Sequence, residues 1–464
     1  MARPQPAAAA KRRGDFPTPP SLVDTVVEHN LPPAGRGGTV RVLDPACGDG
    51  RFLIATGRAL ADRGAAVRLY GVDIDAGAAA AARVALDAAG FTCATIEHDD
   101  ALRRSWDGAT FDLVIGNPPF LSQLASATTR GRASDHGGGP YADACAEFLA
   151  LAVRLAEPDG GRIALVLPQS ILASRDAGPV RAEVDRLAEL TWSWWSPRRQ
   201  FDAQVHVCAL GFRRRSEPPS RAAEPWHRVV TAALGVPDLP PALAATGTLG
   251  DRVVLSANFR DEYYGLIPAV ADGTGGHDDR AAPPLVTSGL IDPGRCRWGE
   301  RPVTFAKRRL TRPYVRLELL SPELARWADG LLVPKVLVAN QTRVIEAVAD
   351  VEGEWLPSVP VLTARPRDGA DVHAVAAVLT SPVASAWAWH RAAGTGLSAT
   401  TLRLGPRWLA ELPWPRGELQ PAADALVAGD VAECGRRVLD AYALDHVSGV
   451  GRALLTWWCD RLPT

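Results

Sequence analysis

The sequence predicts an α/β protein with a mostly parallel sheet covered by helices on both faces, followed by a second domain of mixed α and β structure. Apolar strand-like segments alternate with helix-like segments from about residue 40 onwards. That alternation ends after a polar, proline-containing stretch at 213–225. The length of 464 residues also exceeds what a single hydrophobic core usually serves. Two domains are therefore expected.

The elements of the first half follow one another in a regular order. Strands are predicted at 39–44, 66–74, 94–99, 111–116, 161–168, 190–195 and 205–214. Helices are predicted at 50–64, 76–90 and 144–157. The strand at 205–214 can supply an antiparallel edge. Trp192, Trp194 and Trp195 are expected on the sheet face or edge rather than at a ligand.

The second half loses this regular order. Short strands and Pro/Gly turns dominate to about residue 372, and helices follow. The expected division is a first domain at 1–222, a linker at 223–244, a second domain at 245–416 and a C-terminal helical segment at 417–464.

Composition excludes several classes of protein. The formal net charge of −1 indicates no global basic field, although a local basic stripe can still bind nucleic acid. The seven cysteines form no CxxC pair, so neither a metal site nor a disulfide framework is expected. No apolar run is long enough to span a membrane, and the four-alanine run near the N-terminus is too short for a signal peptide. A cytoplasmic location is expected.

Acidic residues follow three successive predicted strands. Asp44 precedes a turn of small residues that opens a helix, Asp73 ends the next strand and Asp100 ends the third. Open α/β sheets bind ligands at the carboxyl ends of their strands, and an acid there can bind ribose hydroxyls or an adenine amine. The turn is neither a dinucleotide fingerprint nor a P-loop. The pattern predicts a ligand with an adenosine but no pyrophosphate, namely S-adenosylmethionine.

The fourth strand ends in the unusual segment GNPPF at 116–120. The side-chain carbonyl of Asn117 can accept one hydrogen of an amine, and the peptide carbonyl of Pro118 can accept the other. Pro119 holds this loop in place, and Phe120 offers a flat face to a planar base. The arrangement suits methyl transfer to an aromatic amine, because the acceptors make the nitrogen lone pair available.

Taken together, the segments FPTPP (16–20), DPACGDG (44–50), GVDID (71–75), HDDAL (98–102) and GNPPF resemble the amino-methyltransferases that modify N6 of adenine in DNA. The position of TPP before DPACGDG resembles their gamma arrangement. The resemblance covers roughly residues 14–213. It implies a Rossmann-like S-adenosylmethionine-dependent methyltransferase sheet, double-stranded DNA as the substrate and a flipped-out target base.

The resemblance also implies roles for individual residues. The cofactor-binding residues would be Thr18, Asp44, Ala46, Gly48, Asp73, Ile74, Asp100 and Asn117. The catalytic residues would be Asn117, Pro118, Pro119 and Phe120. Phe120 and Phe201 would stack on the flipped base, although Phe201 is equally well explained as a core residue. Asp99 is adjacent to Asp100 and could take its place.

The second domain is the natural place for DNA recognition. The stretch at 304–316 is basic, contains no acid and has aromatic residues near both ends, and VPKVLVANQTR (333–343) ends in polar side chains that can read bases. The predicted DNA-binding residues are Lys307, Arg308, Arg309, Arg312, Lys335, Asn340, Gln341 and Arg343. A solvated basic face is the alternative. The segment at 394–415 resembles the end of recognition domains in adenine methyltransferases.

Two further segments are distinctive. Residues 121–144 are small and Gly-rich, and they predict either a lid that orders on DNA or simple disorder. NFRDEYYGL (258–266) suits either a DNA-facing loop or a turn at a domain interface.

The expected function is site-specific methylation of adenine N6 in DNA, in restriction-modification or phage defence, with a separately encoded restriction endonuclease or defence subunits as possible partners. Methylation of RNA or of a protein glutamine uses a similar segment and stays an alternative. A catalytically inactive DNA-binding subunit is the non-enzymatic alternative.

Overall fold

The computed structural model describes residues 17–33, 38–120, 136–139, 143–201, 205–217, 219, 223–257, 260–273, 282–367 and 370–463. The chain forms two compact units that divide between Val229 and Val230. This division falls inside the range 223–244 that was predicted as a linker. Part of that range is helical, because Arg228–Ala233 forms a short helix whose Val230 is buried.

The first unit has the predicted alternation of strands and helices. Its strands are β1 (Thr39–Asp44), β2 (Ala66–Asp73), β3 (Thr95–His98), β4 (Leu113–Gly116), β5 (Arg162–Pro168), β6 (Ala188–Trp195) and β7 (Val207–Arg214). Its main helices are α1 (Pro20–Asn30), α2 (Arg51–Ala61), α3 (Ala76–Ala88), α4 (Ala144–Leu155) and α5 (Gly178–Leu187). Each predicted strand and helix is present, with ends that shift by three residues or fewer.

The seven strands form one sheet in the order β3-β2-β1-β4-β5-β7-β6. β1 to β5 pair in parallel, whereas β7 pairs antiparallel with both β5 and β6. The antiparallel direction of β7 was anticipated, but its position at the edge was wrong. β7 is buried along six consecutive residues, and such an apolar strand is stable only between two neighbours; β6 takes the edge.

Helices cover both faces of this sheet, as predicted. The first three helices share a core with alternate strand residues such as Val42, Leu113 and Ile115. Intervening residues such as Val114 point to the opposite face, because side chains alternate along a strand. Helix α4 packs against β5 and α5, and ten of its twelve residues are buried. The parallel strands are therefore buried on both faces of the sheet, which explains their nearly continuous apolar sequence.

The tryptophans of β6 occupy the sheet edge, as expected from their spacing. Trp192 and Trp194 are partly buried against the core. The ring of Trp192 stacks on His29 of α1, with ring centroids 5.2 Å apart. These rings therefore help to dock α1 on the sheet.

The second unit contains many short elements. Its strands are β8 (Ala245–Thr248), β9 (Val253–Ala257), β10 (Val270–Asp272), β11 (Leu285–Val286), β12 (Ile291–Asp292), β13 (Arg295–Cys296), β14 (Val303–Phe305), β15 (Arg308–Leu310), β16 (Pro313–Val315), β17 (Lys335–Val338), β18 (Gln341–Thr342), β19 (Ala347–Asp350), β20 (Leu356–Pro357), β21 (Leu362–Pro366), β22 (Leu402–Arg403) and β23 (Pro413–Pro415). Its helices after residue 240 are α6 (Leu249–Arg252), α7 (Arg260–Leu266), α8 (Pro322–Asp329), α9 (Val372–Leu379), α10 (Pro382–Ala392), α11 (Pro406–Leu409), α12 (Gln420–Val427), α13 (Val431–Ala441) and α14 (Gly449–Cys459).

A four-stranded antiparallel sheet, β19-β17-β21-β9, organises the second unit. Helix α9 packs on this sheet, and the C-terminal helices pack on α9 and α10. Trp458 of α14 is fully buried, and a side chain at Gly435 of α13 would come within 2.6 Å of its ring. Residues 417–463 are therefore an integral part of this unit rather than a separate helical segment.

No single helix in the described ranges is both long and apolar enough to cross a membrane. The pair α9 and α10 reaches the required length and composition only together, and the two helices are bent by 58°.

Replacing Trp458 by Ala is expected to lower the free energy of unfolding of the second unit by about 3–5 kcal/mol, because the deletion leaves a large cavity. Chemical denaturation of the purified chain measures this change. Val450→Ala on the same helix is the control, since Val450 is 41% exposed. Equal, small effects of both substitutions would contradict the role of these helices in the core.

Candidate active site

The carboxyl ends of β1, β2, β3 and β4 meet at one rim of the sheet. Strand pairing places Asp44 beside Gly71, and Asp73 beside His98. The pairing of Leu43 with Val114 brings the end of β4 to the same rim. The acids and GNPPF, which are separated by up to 76 positions in the sequence, are thus brought to one edge, as predicted for a ligand site in an open α/β sheet.

The glycine turn after β1 is fastened to the acid that ends β2. The Asp73 carboxylate accepts hydrogen bonds from the backbone N–H of Gly48 at 2.8 Å and of Asp75 at 2.8 Å. Gly48 adopts a left-handed backbone with φ of +53°, which favours glycine. Within the described residues, no atom lies within 4 Å of the position that a Cβ on Gly48 would take. A ligand can therefore approach this backbone closely.

Asp44 is a buried carboxyl group at the centre of the rim. It is 1% exposed and accepts a hydrogen bond from the Ala46 N–H at 3.1 Å. Burial, assisted by the nearby Asp73 and Asp49 carboxylates and opposed by the hydrogen bond from Ala46, raises the pKa of Asp44 to about 8. A positively charged ligand at this rim would favour the ionised form.

Gly116 explains how Asp44 and the GNPPF segment are coupled. A methyl group on Gly116 would overlap the Asp44 carboxylate. The absence of a side chain therefore lets the end of β4 lie directly against the acid of β1, and Asn117 follows at once. Sequence reasoning did not assign a role to Gly116; its place before Asn117 at the end of an apolar strand was the available signal.

Arg51 is a second residue that sequence reasoning missed. Its guanidinium donates hydrogen bonds to the Asp49 carboxylate, at 2.8 Å from Nε to Oδ1, and to the backbone carbonyl of Thr18. Thr18 itself is buried, and this contact ties the N-terminal TPP segment to the glycine turn. A cation at the first residue of a helix is repelled by the positive end of the helix dipole. The position of Arg51 in the sequence was therefore the available signal of a specific contact.

The third strand presents two neighbouring acids. Asp100 is half-buried, and its carboxylate accepts from the Leu102 N–H at 3.0 Å. Asp99 is exposed, and its carboxylate accepts from the Asp100 N–H at 2.8 Å. The more enclosed position of Asp100 favours it over Asp99 as the contact to an adenine. Ile74, 66% exposed, offers an apolar surface next to Asp73.

The GNPPF segment forms a mostly buried loop. Pro118 and Phe120 are buried, whereas Asn117 and Pro119 are half-buried. The Phe120 ring meets the Phe201 ring edge to face, with centroids 5.6 Å apart. The structure thus brings together the two aromatic residues predicted to flank a base. It also buries Phe120, which is only 7% exposed, whereas the sequence predicted a ring face open to a base.

Most of the predicted lid at 121–144 lies outside the described residues. His136 is described, and its Nε2 lies 2.8 Å from the carbonyl of Leu102.

The predicted DNA-binding residues divide into exposed and buried groups. Lys307, Arg308, Arg309, Arg312 and Arg343 are exposed, and Gln341 is half-buried. These side chains remain available to DNA.

Lys335 and Asn340 cannot make the predicted contacts. Lys335 is fully buried and forms an ion pair with Asp350. Asn340 is 7% exposed, and its amide donates to the carbonyl of Leu404 at 3.0 Å. Burial removes both side chains from phosphates and base edges, so these two predictions are corrected. The strand of 335–338 is a central strand of the sheet, where every side chain is covered.

The chain matches one family of known proteins and is similar to two type II methyltransferases. Residues 4–184 match the family described as N-6 DNA Methylase. The chain is 30% identical over 201 residues to the type II methyltransferase M.TthHB8I of Thermus thermophilus, covering 39% of this chain and 40% of that protein. It is 31% identical over 166 residues to the type II methyltransferase M.CvrRI of Paramecium bursaria Chlorella virus XZ-6E, covering 35% and 38%. The chain thus spans about two-fifths of the length of these relatives.

Solved structures give more distant similarities. The M protein of the type I restriction enzyme EcoKI is 21% identical with a TM-score of 0.35, over 46% of this chain and 48% of that one. The family assignment therefore depends on the sequence matches and on the motifs at the sheet rim. The match of residues 4–184 to the N-6 DNA methylase family, together with the two similar type II methyltransferases, confirms the resemblance predicted from the motifs.

Proposed function

We propose that this chain is an S-adenosylmethionine-dependent, site-specific DNA methyltransferase that modifies N6 of adenine in double-stranded DNA. The observation that carries the proposal is the junction of Asp44, Gly116 and Asn117. In this junction the GNPPF loop lies against the acids of the rim, which supports an amine acceptor next to a nucleoside site. The matched relatives are named type II methyltransferases, which supports the same reaction class.

The residues at the rim fit S-adenosylmethionine. Its ribose hydroxyls suit Asp73, its adenine amine suits Asp100, and the exposed side chain of Ile74 suits the adenine ring. The backbone at Ala46 and Gly48 is open to a ligand, as the space in front of Gly48 indicates. The cationic methionine part suits the buried Asp44 and the nearby Thr18. When bound, this cofactor supplies an electrophilic methyl group.

The protein's part in the reaction is to orient the target amine. The Asn117 side-chain oxygen and the Pro118 backbone oxygen would accept hydrogen bonds from the two N–H groups of the amine. These hydrogen bonds draw the nitrogen away from planarity. No strong base is needed, since the methyl donor is already activated and alignment lowers the barrier. Asn117 also borders the cofactor rim, so one residue links the two substrates.

The target base must enter between aromatic rings that now touch. A base that stacks on both rings needs roughly 7 Å between parallel faces, about twice the carbon–carbon contact distance. The ring centroids of Phe120 and Phe201 are only 5.6 Å apart, and the rings meet edge to face. Entry of a flipped adenine therefore requires one ring to turn or withdraw.

Double-stranded DNA is the proposed partner, and the exposed basic residues of the second unit are the proposed contacts. We also propose a role in restriction-modification or phage defence, with a separately encoded endonuclease or other defence subunits as partners. RNA and protein glutamine are the competing substrates, and the following experiment separates them.

Asn117→Ala is expected to lower the methylation rate of plasmid DNA by roughly 10²–10³-fold, because one of two amine acceptors is lost. Transfer of a labelled methyl group, followed by mapping of modified bases, measures the rate and identifies the base. A thermal unfolding curve controls for folding. Equal incorporation by both proteins would overturn the role of Asn117, and labelled RNA or protein instead of DNA would overturn the substrate.

Phe201→Ala is expected to raise KM for DNA and lower kcat/KM, because a flipped base loses one of its stacking surfaces. Steady-state methylation kinetics measure both constants. A thermal unfolding curve of the variant controls for lost packing, since Phe201 lies in the same buried cluster as Phe120. Unchanged kinetics of the Phe201 variant would identify that ring as a core residue only.

Asp44 is expected to make stability and cofactor binding depend on pH in opposite directions. Its pKa is raised to about 8 in the folded protein, so the stability present below pH 4 is lost as pH rises through 8, by at most about 1.4 kcal/mol per pH unit. Binding of the cationic cofactor should strengthen over the same range, as Asp44 becomes ionised.

Denaturation curves and calorimetric binding of S-adenosylmethionine, both between pH 5 and 9, measure these two trends. Asp44→Asn should flatten the pH dependence of stability and abolish the increase of cofactor affinity as pH rises. If the variant keeps the slope of the original protein, another group is responsible.

A further inference from the structure

A β-hairpin in the second unit carries part of the basic stretch. Strands β14 and β15 pair antiparallel, with Val303 opposite Leu310 and Phe305 opposite Arg308. Two residues, Ala306 and Lys307, form the connecting loop. Lys307 is exposed, and the hairpin therefore presents a cation at its tip.

The loop of this hairpin has an unusual backbone for its sequence. Ala306 has a φ of 48° and Lys307 a φ of 64°, so both lie in the left-handed region. Two-residue hairpin loops of this kind match the twist of the strands, but Asn-Gly is the pair that adopts them readily. Residues with a Cβ are strained there, and such strain persists only where surrounding contacts hold it.

Tyr263 supplies the contact that holds this loop. Its hydroxyl accepts a hydrogen bond from the Ala306 N–H at 3.2 Å. Its ring packs on the buried Phe305, with centroids 5.0 Å apart. Helix α7, which carries Tyr263, is itself anchored in the core, because Leu266 is fully buried and a side chain at Gly265 would come within 2.7 Å of Leu324. The segment YYGL at 263–266 is therefore the support of the hairpin.

Tyr264 lies beside this support and faces outward. It is 54% exposed, and its ring meets that of Tyr263 edge to face at 5.5 Å. An amphipathic ring held at the surface next to cations is suited to contact the sugars or bases of a nucleic acid.

Four cations lie on or next to the hairpin, and the neighbouring Asp272 carboxylate accepts hydrogen bonds from the backbone N–H groups of Thr311 and Arg312. Lys307, Arg308, Arg309 and Arg312 are all exposed, and none forms an ion pair with an acidic side chain among the residues that the structure describes. Arg308 is oriented by a hydrogen bond of 3.0 Å to the carbonyl of Val270. Arg312 is oriented over the ring of Trp298 at 5.1 Å. Uncompensated, positioned cations suit the phosphates of a duplex.

We propose that hairpin 303–310 is a preorganised duplex-DNA contact, in which Tyr263 positions the loop, Lys307 and its basic neighbours bind phosphates, and Tyr264 contacts the adjacent groove. A two-stranded ribbon of this width fits the major groove of DNA. The proposal extends the proposed function by assigning a role to residues 263–266 and rests on that function for the identity of its partner. Residues 258 and 259 lie outside the described part of the chain.

The test is binding of the full chain to a fluorescein-labelled mixed-sequence duplex, measured by anisotropy over a range of salt concentrations and without cofactor. Lys307→Gly and Arg309→Ala should each weaken binding several-fold and reduce the slope of log K against log salt by about 1. Lys307→Gly should also raise the melting temperature, because glycine relieves the strained backbone. Arg452→Ala, an exposed arginine on α14, is the matched control.

The two tyrosines are tested separately. Tyr263→Phe removes only the hydroxyl and should weaken duplex binding. Adding Ala306→Asn to that variant should restore it, since Asn tolerates the left-handed backbone and Lys307 is retained. Tyr264→Ala should weaken duplex binding several-fold without changing the salt slope.

The following outcomes would contradict the proposal that hairpin 303–310 binds duplex DNA. Affinities and slopes equal to those of Arg452→Ala would overturn the proposal, as would a folded Tyr263→Phe protein that Ala306→Asn fails to rescue. Tighter binding of a matched duplex RNA would overturn the choice of DNA. These outcomes are independent of the proposed chemistry, because a chain that binds duplex DNA through the hairpin but transfers no methyl group would contradict only the proposed function.

Discussion

The arrangement of the first unit depends on one buried carboxyl group between two neighbouring strands. Asp44 ends β1, and the adjacent strand β4 must end in a residue without a side chain to lie against it. Because Gly116 meets that requirement, Asn117 emerges beside the acids of the rim. The GNPPF loop and the acids of the rim are therefore coupled through a direct van der Waals contact. Any shift of β4 relative to β1 would separate them.

A second set of contacts holds the loops of this rim. Asp73 fastens the glycine turn through two backbone N–H groups, and Arg51 links the turn to the segment at Thr18. An acid at this rim can therefore have two roles: it accepts hydrogen bonds from the backbone, and it is a candidate for binding the cofactor. Burial, and in addition the repulsion by neighbouring carboxylates, raises the pKa of Asp44. A cationic ligand would relieve that repulsion, which is a physical reason for the rim to favour one.

The two units use charge in different ways. At the rim of the first unit, carboxylates converge, whereas the hairpin of the second unit presents cations that have no acidic partner in the described residues. Lys335 differs from both groups, because it is buried and forms an ion pair with Asp350. Composition could not separate these roles, since both Lys307 and Lys335 follow apolar residues and both were expected to bind DNA. The distinction arises from strand pairing: Lys335 lies in a central strand, and Lys307 lies in a two-residue loop.

The sequence by itself determined the α/β alternation, the strand ends of the first unit and the motifs at the rim, because these depend on local patterns with a period of two or of 3.6 residues and on residues adjacent in the chain. Only the tertiary structure decided that β7 lies inside the sheet, that Phe201 covers Phe120, and that Lys335 and Asn340 are buried. It also decided that the C-terminal helices join the second core, and that Tyr263 holds the hairpin loop 43 residues away. These features depend on pairing and packing between distant segments, and many alternative pairings of short strands satisfy the same local pattern.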